Sequence, residues 1–161
     1  MATIRLPVLM DYIYCAHRMR PDEVEQYLAL FDQESFDPEH CARVLMNLGG
    51  VAWTLEGADG WPLAVGGFFE VKRGVWQAWM AGSMGAWDAH WRTLHKHAKR
   101  LMRTMLTSGQ ARRIQFSALA SRERACAWYR RLGMVYEGTH IAYGYHGEDV
   151  VDYAITNRTG A

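Results

Sequence analysis

The sequence has few cysteines and prolines and no excess of charge, and each shortage excludes a class of protein. Its 161 residues include 3 Cys and 4 Pro. Because Cys15, Cys41 and Cys126 form no CxxC pair, we expect buried thiols in a reducing compartment. The formal net charge is +1 at pH 7, without a basic tail or charge block. Neither nucleic acid nor an anionic membrane surface is therefore an expected partner.

Long apolar runs are also missing from the sequence, which excludes a transmembrane segment. The longest such runs are far too short to span a bilayer. The opening MATIRLPVLM lacks the cationic start and the long apolar core of a signal peptide. We therefore expect a soluble, cytoplasmic protein.

The composition that is present is that of a globular protein. Hydrophobic residues make up 50% of the chain and charged residues 22%, with 7 Trp and 9 Met. A chain of this length buries a substantial core and suits one domain over residues 1–161. Most of the tryptophans are expected in that core, although several are equally suited to a groove or a homodimer interface.

The N-terminal third of the hydrophobic pattern predicts one strand and three short helices. A strand near residues 3–9 precedes two helices that Pro21 separates. Asp22 and Glu23 suit the positive start of the second helix, and the third helix ends at Gly49.

The remainder of the pattern completes an α+β fold with a mixed, mostly antiparallel central sheet flanked by helices. Three consecutive strands form a meander, in which Gly66 and Gly67 are expected to mark a bulge. A long helix, a strand, a further helix and two closing strands follow.

The long helix is predicted between Trp87 and Thr107 from one apolar stripe. The members of the stripe recur at spacings of four and three residues: Trp87, Trp91, Leu94, Ala98, Leu101 and Met105. Three histidines of this helix, His90, His95 and His97, do not converge and have no carboxylate at ligand spacing. We interpret them as a solvated face and predict no metal site.

The segment ACAWYRRLGM, residues 125–134, resembles the end of the fourth helix in the GNAT family of N-acetyltransferases. That helix often ends in a pattern like N-x-x-A-x-x-[LF]-Y-E-K-x-G-F. Five positions of the pattern are filled, by Ala125, Trp128, Tyr129, Gly133 and Met134. Arg122 stands where the pattern has asparagine. The element order is also similar to that of the family, most clearly over residues 50–155.

The resemblance implies an acetyl-CoA-dependent N-acetyltransferase that acts on an amine of a small molecule or a protein. In the family, strands four and five splay apart and the pantetheine arm lies between them. The pyrophosphate meets free N–H groups at the start of the next helix. Tyr129 matches the general acid for the departing thiolate, a role typically worth ~10²–10⁴-fold in rate. The implied cofactor-binding residues are Met80, Ala81, Gly82, Ser83, Gly85, Ala86, Trp87 and Arg92.

Two parts of the family's site have no clear counterpart in this sequence. No register of residues 80–91 matches the family's pyrophosphate loop, [QR]-x-x-G-x-[GA]. Either Gly85 marks the loop, or the loop lies nearer residues 89–92. For the general base, Glu56 and Glu70 lie on strands that border the acceptor groove in the family.

A narrower resemblance is to small GNAT-type proteins of short-tailed phages, a group that includes internal virion proteins. One segment that carries it is WTLEGADGWPLAVGGF, residues 53–68. The other contributes Met19, Arg20, Asp22, Glu23 and Glu25. It implies an alternative function, a GNAT-fold protein without efficient chemistry that serves as a virion, assembly or host-interaction component. Its partners would be virion proteins, and its location the host cytoplasm or the virion.

Overall fold

A computed structural model describes residues 1–158, and residues 159–161 of the predicted domain lie outside the described residues. Seven strands form one sheet in the order β1-β2-β3-β4-β5-β7-β6. Only the β4–β5 pair is parallel within the described chain. The strands are β1 (Thr3–Arg5), β2 (Val51–Glu56), β3 (Pro62–Lys72), β4 (Val75–Gly82), β5 (Arg113–Leu119), β6 (Val135–His140) and β7 (Val150–Thr156). The helices are α1 (Leu9–His17), α2 (Pro21–Leu30), α3 (Pro38–Asn47), α4 (Met84–Thr107) and α5 (Glu123–Arg131).

The helices cover the two faces of the sheet, which confirms the predicted fold class and element order. Helices α1 to α3 pack against the face that carries Val65, Trp79 and Ala81. Helices α4 and α5 pack against the other face, around Ile114 and Phe116. Because side chains alternate along a strand, neighbouring residues of β4 line different halves of the core.

The prediction of a bulge at Gly66 and Gly67 is wrong. Both residues pair in register with β2 and β4. Glycine is required there by close approach: a Cβ on Gly66 would lie 2.7 Å from the Trp53 ring, and one on Gly67 would lie 2.3 Å from the Val51 carbonyl oxygen.

Helix α4 begins three residues before the predicted start and buries a slightly different stripe. Trp91 is 39% exposed, so it does not belong to the buried face. His95 and His97 are both half-buried, and the His97 ring is edge-on to Trp53 at 5.2 Å, so the interpretation of all three histidines as a solvated face is wrong for these two. The three cysteines are buried and unbridged, as predicted. Within residues 1–158, no helix is both long and apolar enough to cross a membrane.

Candidate active site

Strands β4 and β5 diverge and open a gap in the middle of the sheet. They pair only between residues 75–77 and 113–115. Beyond that point β4 continues to Gly82 and β5 to Leu119 without pairing with each other. The splay that the family resemblance implied is therefore present.

Free backbone groups of β4 face this gap. The Ser83 amide donates to a carbonyl on the β3 side at 2.9 Å. The Gly82 amide points the other way and donates to Glu23 Oε2 at 2.7 Å. Because successive amides of a strand point to opposite edges, the Met80 amide also faces the gap, whereas the Ala78 amide belongs to the last paired step with β5.

Helix α2 lies across the open end of the gap and holds both strands. Glu23 accepts the Gly82 amide of β4, and one turn later Gln26 Oε1 accepts the Leu119 amide of β5 at 3.3 Å. Side chains three residues apart share one face of a helix. One face of α2 therefore closes the end of the gap.

Glu23 is the most buried acidic group of this region, with 4% of its surface exposed. Its carboxylate also accepts the Trp87 indole N–H at 3.1 Å, and nitrogens of Arg20 and Arg122 lie 3.9 Å from Oε1. Burial nevertheless raises the pKa of Glu23, because desolvation outweighs the hydrogen bonds and the arginines.

Asp22 completes a balanced group of charges with its neighbours. Its Oδ2 contacts Arg20 Nη2 at 2.7 Å and Arg122 Nη2 at 3.0 Å. Two carboxylates and two guanidiniums therefore neutralise each other, and Arg122 ties the start of α5 to α2.

Tyr129 is buried in α5, beside the gap. Its ring is edge-on to Phe116 at 4.8 Å, and the Gln26 side chain lies near its hydroxyl. Burial raises the pKa of Tyr129 to about 12, and the positive charge of Arg122 opposes that rise. The phenol is therefore protonated at neutral pH and available as a proton donor.

Two tryptophans form the wall of the site on the α4–α5 face. The rings of Trp87 and Trp128 meet edge-to-face at 4.9 Å. The Trp128 indole N–H is buried and has no hydrogen-bond partner within the described residues.

A cavity of about 100 Å³ connects the two faces of the sheet through the gap. On the α4–α5 side it is lined by Phe116, Trp128 and Tyr129, and on the other by residues of α2 and by Trp79. An opening of this kind allows two reactants to meet from opposite faces.

The predicted cofactor-binding residues of β4 lie at the edge of the gap, in different settings. Met80 packs on the α4 face and Ala81 is fully buried on the α1–α3 face. The Gly82 amide is already bound to Glu23, and the Ser83 hydroxyl donates to the Leu63 carbonyl.

The predicted residues of α4 are less closely grouped. Gly85 and Ala86 lie in the first turn of the helix, and Ala86 is fully buried. Trp87 lines the cavity. Arg92 is exposed further along the helix, beside Trp91. Residues 89–92 are helical, so no loop lies there.

The two candidate general bases, Glu56 and Glu70, form hydrogen bonds outside the site. Glu56 pairs with Arg5, and Glu70 accepts the Gly74 amide at 2.6 Å in the β3–β4 turn. Neither lines the cavity.

Sequence reasoning missed Glu23 and Gln26 as site residues. Glu23 was interpreted as a helix-start acid, because its position after Pro21 satisfies that role. Its contact with β4 spans 59 residues, and no local pattern signals such a contact.

Comparison with known proteins shows the fold. No family model matches the sequence, and no curated protein matches it. Among solved structures, a GNAT-family acetyltransferase from Bacillus anthracis has a TM-score of 0.73 at 13% identity, covering 98% of this chain and 95% of that one.

Two further solved structures are similar over nearly their whole length. Spermidine N-acetyltransferase from Vibrio cholerae, in complex with CoA and spermine, has a TM-score of 0.73 at 14% identity, with 98% and 96% of the chains covered. Ribosomal-protein-S5-alanine acetyltransferase from Vibrio fischeri has a TM-score of 0.73 at 14% identity, with 97% and 93% covered. The chain therefore has the fold of the GNAT-family acetyltransferases.

Proposed function

We propose that this chain is an acetyl-CoA-dependent N-acetyltransferase of the GNAT type. The observation that carries the proposal is the splayed gap, whose cavity is lined both by β4 and by the protonated hydroxyl group of Tyr129. The family of solved structures with this fold supports the same reaction class.

The chemistry of the gap suits direct transfer to an amine. Acetyl-CoA would supply the thioester carbon that the acceptor nitrogen attacks. As the carbon–sulfur bond breaks, Tyr129 donates its proton to the leaving sulfur, and the amine proton passes to water. The positive charge of Arg122 and the nearby Gln26 side chain lower the cost of the phenolate that remains.

The gap fits the pantetheine arm of acetyl-CoA better than the pyrophosphate. The Met80 amide and the indole N–H of Trp128 offer partners to the arm. The Gly82 amide is bound to Glu23, and α4 starts directly at Met84 without a glycine loop. We therefore assign the binding free energy of acetyl-CoA to the contacts of its pantetheine arm.

A second candidate is a GNAT-fold protein without efficient chemistry, such as a phage virion or host-interaction component. The observation that favours it is the carboxylate of Glu23 at the strand–helix junction. This carboxylate already accepts the Gly82 amide, so that N–H is not available to an incoming pyrophosphate.

Calorimetric titration with acetyl-CoA and with S-acetylpantetheine tests the proposal. We expect the Kd values of the two compounds to lie within about tenfold of each other. S-acetylpantetheine lacks only the contacts of the nucleotide part, and a loss of about 1.4 kcal/mol changes affinity tenfold. An absence of heat and of thermal stabilisation at millimolar acetyl-CoA would overturn the enzyme proposal and favour the second candidate. Tight binding of acetyl-CoA alone would overturn only the assignment to the arm.

A further inference from the structure

The cavity has a second half, on the α1–α3 face, that the transfer chemistry does not use. It is apolar and is lined by Met19, Tyr27, Leu30, Phe31, Leu45 and Trp79. Tyr27 stacks on Phe31, with their ring centroids 4.9 Å apart. Apolar walls with a few polar groups are typical of small-molecule sites.

Two hydrogen-bond donors in this half have no partner within residues 1–158. The Trp79 indole nitrogen and the Tyr27 hydroxyl are both buried and unbonded, on side chains that are 8% and 4% exposed. The polar neighbour of the Tyr27 hydroxyl is the Cys41 thiol, which donates instead to the Met19 sulfur at 3.8 Å. A buried unsatisfied polar group costs about 1–3 kcal/mol, so a ligand oxygen that accepts from these donors recovers that cost.

The charges around the cavity do not suit a polycation. Glu23 is the one carboxylate among the described lining residues, and Arg20 and Arg122 already neutralise it together with Asp22. No spare negative charge remains for a second ammonium group, which a polyamine would bring.

Resting on the proposed function, we infer that the acceptor is a small primary amine with an apolar side chain and a carbonyl oxygen next to the amine. The carbonyl accepts from Trp79 and Tyr27, the side chain fills the apolar half, and the amine is left at the gap. Leucinamide has this chemistry, and spermidine does not. A peptide N-terminus has it as well, and Leu-Gly-Gly amide represents that source.

The test is an NMR titration of the ¹⁵N-labelled indole groups, carried out without acetyl-CoA. We expect leucinamide to shift the Trp79 indole resonance and to bind more tightly than spermidine. Trp79→Phe and Tyr27→Phe each keep an apolar ring and remove one donor, so each should weaken leucinamide binding by about three- to tenfold. Tighter binding of leucinamide identifies a small amine as the acceptor. Tighter binding of Leu-Gly-Gly amide identifies a peptide N-terminus.

Matched controls separate recognition from a general loss of structure. Trp61 and Tyr143 are exposed, and Trp61→Phe and Tyr143→Phe should leave leucinamide binding unchanged. Spermidine binding as tightly as leucinamide, or a Trp79 resonance that does not move, would overturn the inference. Because this titration needs no acetyl-CoA, it is independent of the calorimetric test, and either result can fail while the other stands.

Discussion

Tyr129 illustrates how burial prepares a single residue for chemistry. The surrounding rings exclude water, and this burial raises its pKa to about 12. A phenol in that setting keeps its proton over the pH range in which the acceptor amine becomes deprotonated and able to attack.

Tyr129→Phe should lower kcat by ~10²–10⁴-fold, because the leaving sulfur loses its proton donor. The affinity for acetyl-CoA should remain nearly unchanged. In the wild type, kcat should not fall with rising pH up to about pH 10, since the phenol deprotonates only near its raised pKa. Steady-state kinetics across pH and calorimetry measure these effects.

Tyr153→Phe is the matched control for this prediction, since Tyr153 is equally buried and its ring contacts Tyr129 at 5.6 Å. It does not line the cavity, and its substitution should leave kcat within a few-fold of the wild type. A kcat unchanged in Tyr129→Phe would remove the acid role.

At the scale of elements, helix α2 bridges the two strands that border the gap. Its contacts with Gly82 and Leu119 join strands that do not pair with each other at this end. Both contacts come from one face of α2, through the side chains of Glu23 and Gln26.

Gln26→Ala should release the Leu119 amide at the end of β5. We expect faster hydrogen exchange at that amide, by up to about tenfold, and a loss of about 0.5–1.5 kcal/mol in the free energy of unfolding, the typical value of one hydrogen bond. Exchange followed by NMR and urea denaturation measure the two effects.

Gln33→Ala is the corresponding control, because the Gln33 side chain bonds the nearby Phe31 carbonyl, at 2.9 Å, instead of a strand. Its substitution should leave the exchange of Leu119 unchanged. Equal exchange rates at Leu119 in wild type and Gln26→Ala would show that α2 does not hold β5.

At the scale of the whole molecule, near-neutral charge coincides with exposed apolar side chains. The pI is about 7.8, and Trp61, Ile141 and Tyr143 are each more than half exposed. Charge repulsion between copies is therefore weakest close to neutral pH.

Self-association should accordingly be strongest near pH 7.8 and weaken on acidification, because the net charge of the chain moves away from zero below the pI. The second virial coefficient from static light scattering should be lowest near the pI and rise on acidification. A coefficient independent of pH would mean that net charge does not control association.

The sequence alone determined the element order and most of the element boundaries. Local rules are sufficient there: Pro21 starts α2, Gly109 follows α4, and alternation marks β5 to within one residue of its observed start. These signals act between neighbours in the chain, so they can be recognised without the fold.

Tertiary structure decided what occupies the site. Glu23 satisfies the rules for a helix start, yet its carboxylate binds the end of β4; Trp91 belongs to the helical stripe, yet it is exposed. The ACAWYRRLGM motif selected Tyr129, but the gap beside it, the Gln26 bond and the unpartnered Trp79 donor arise from residues far apart in sequence. Burial and hydrogen bonding across the sheet produce these features, and they exist only once the chain has folded.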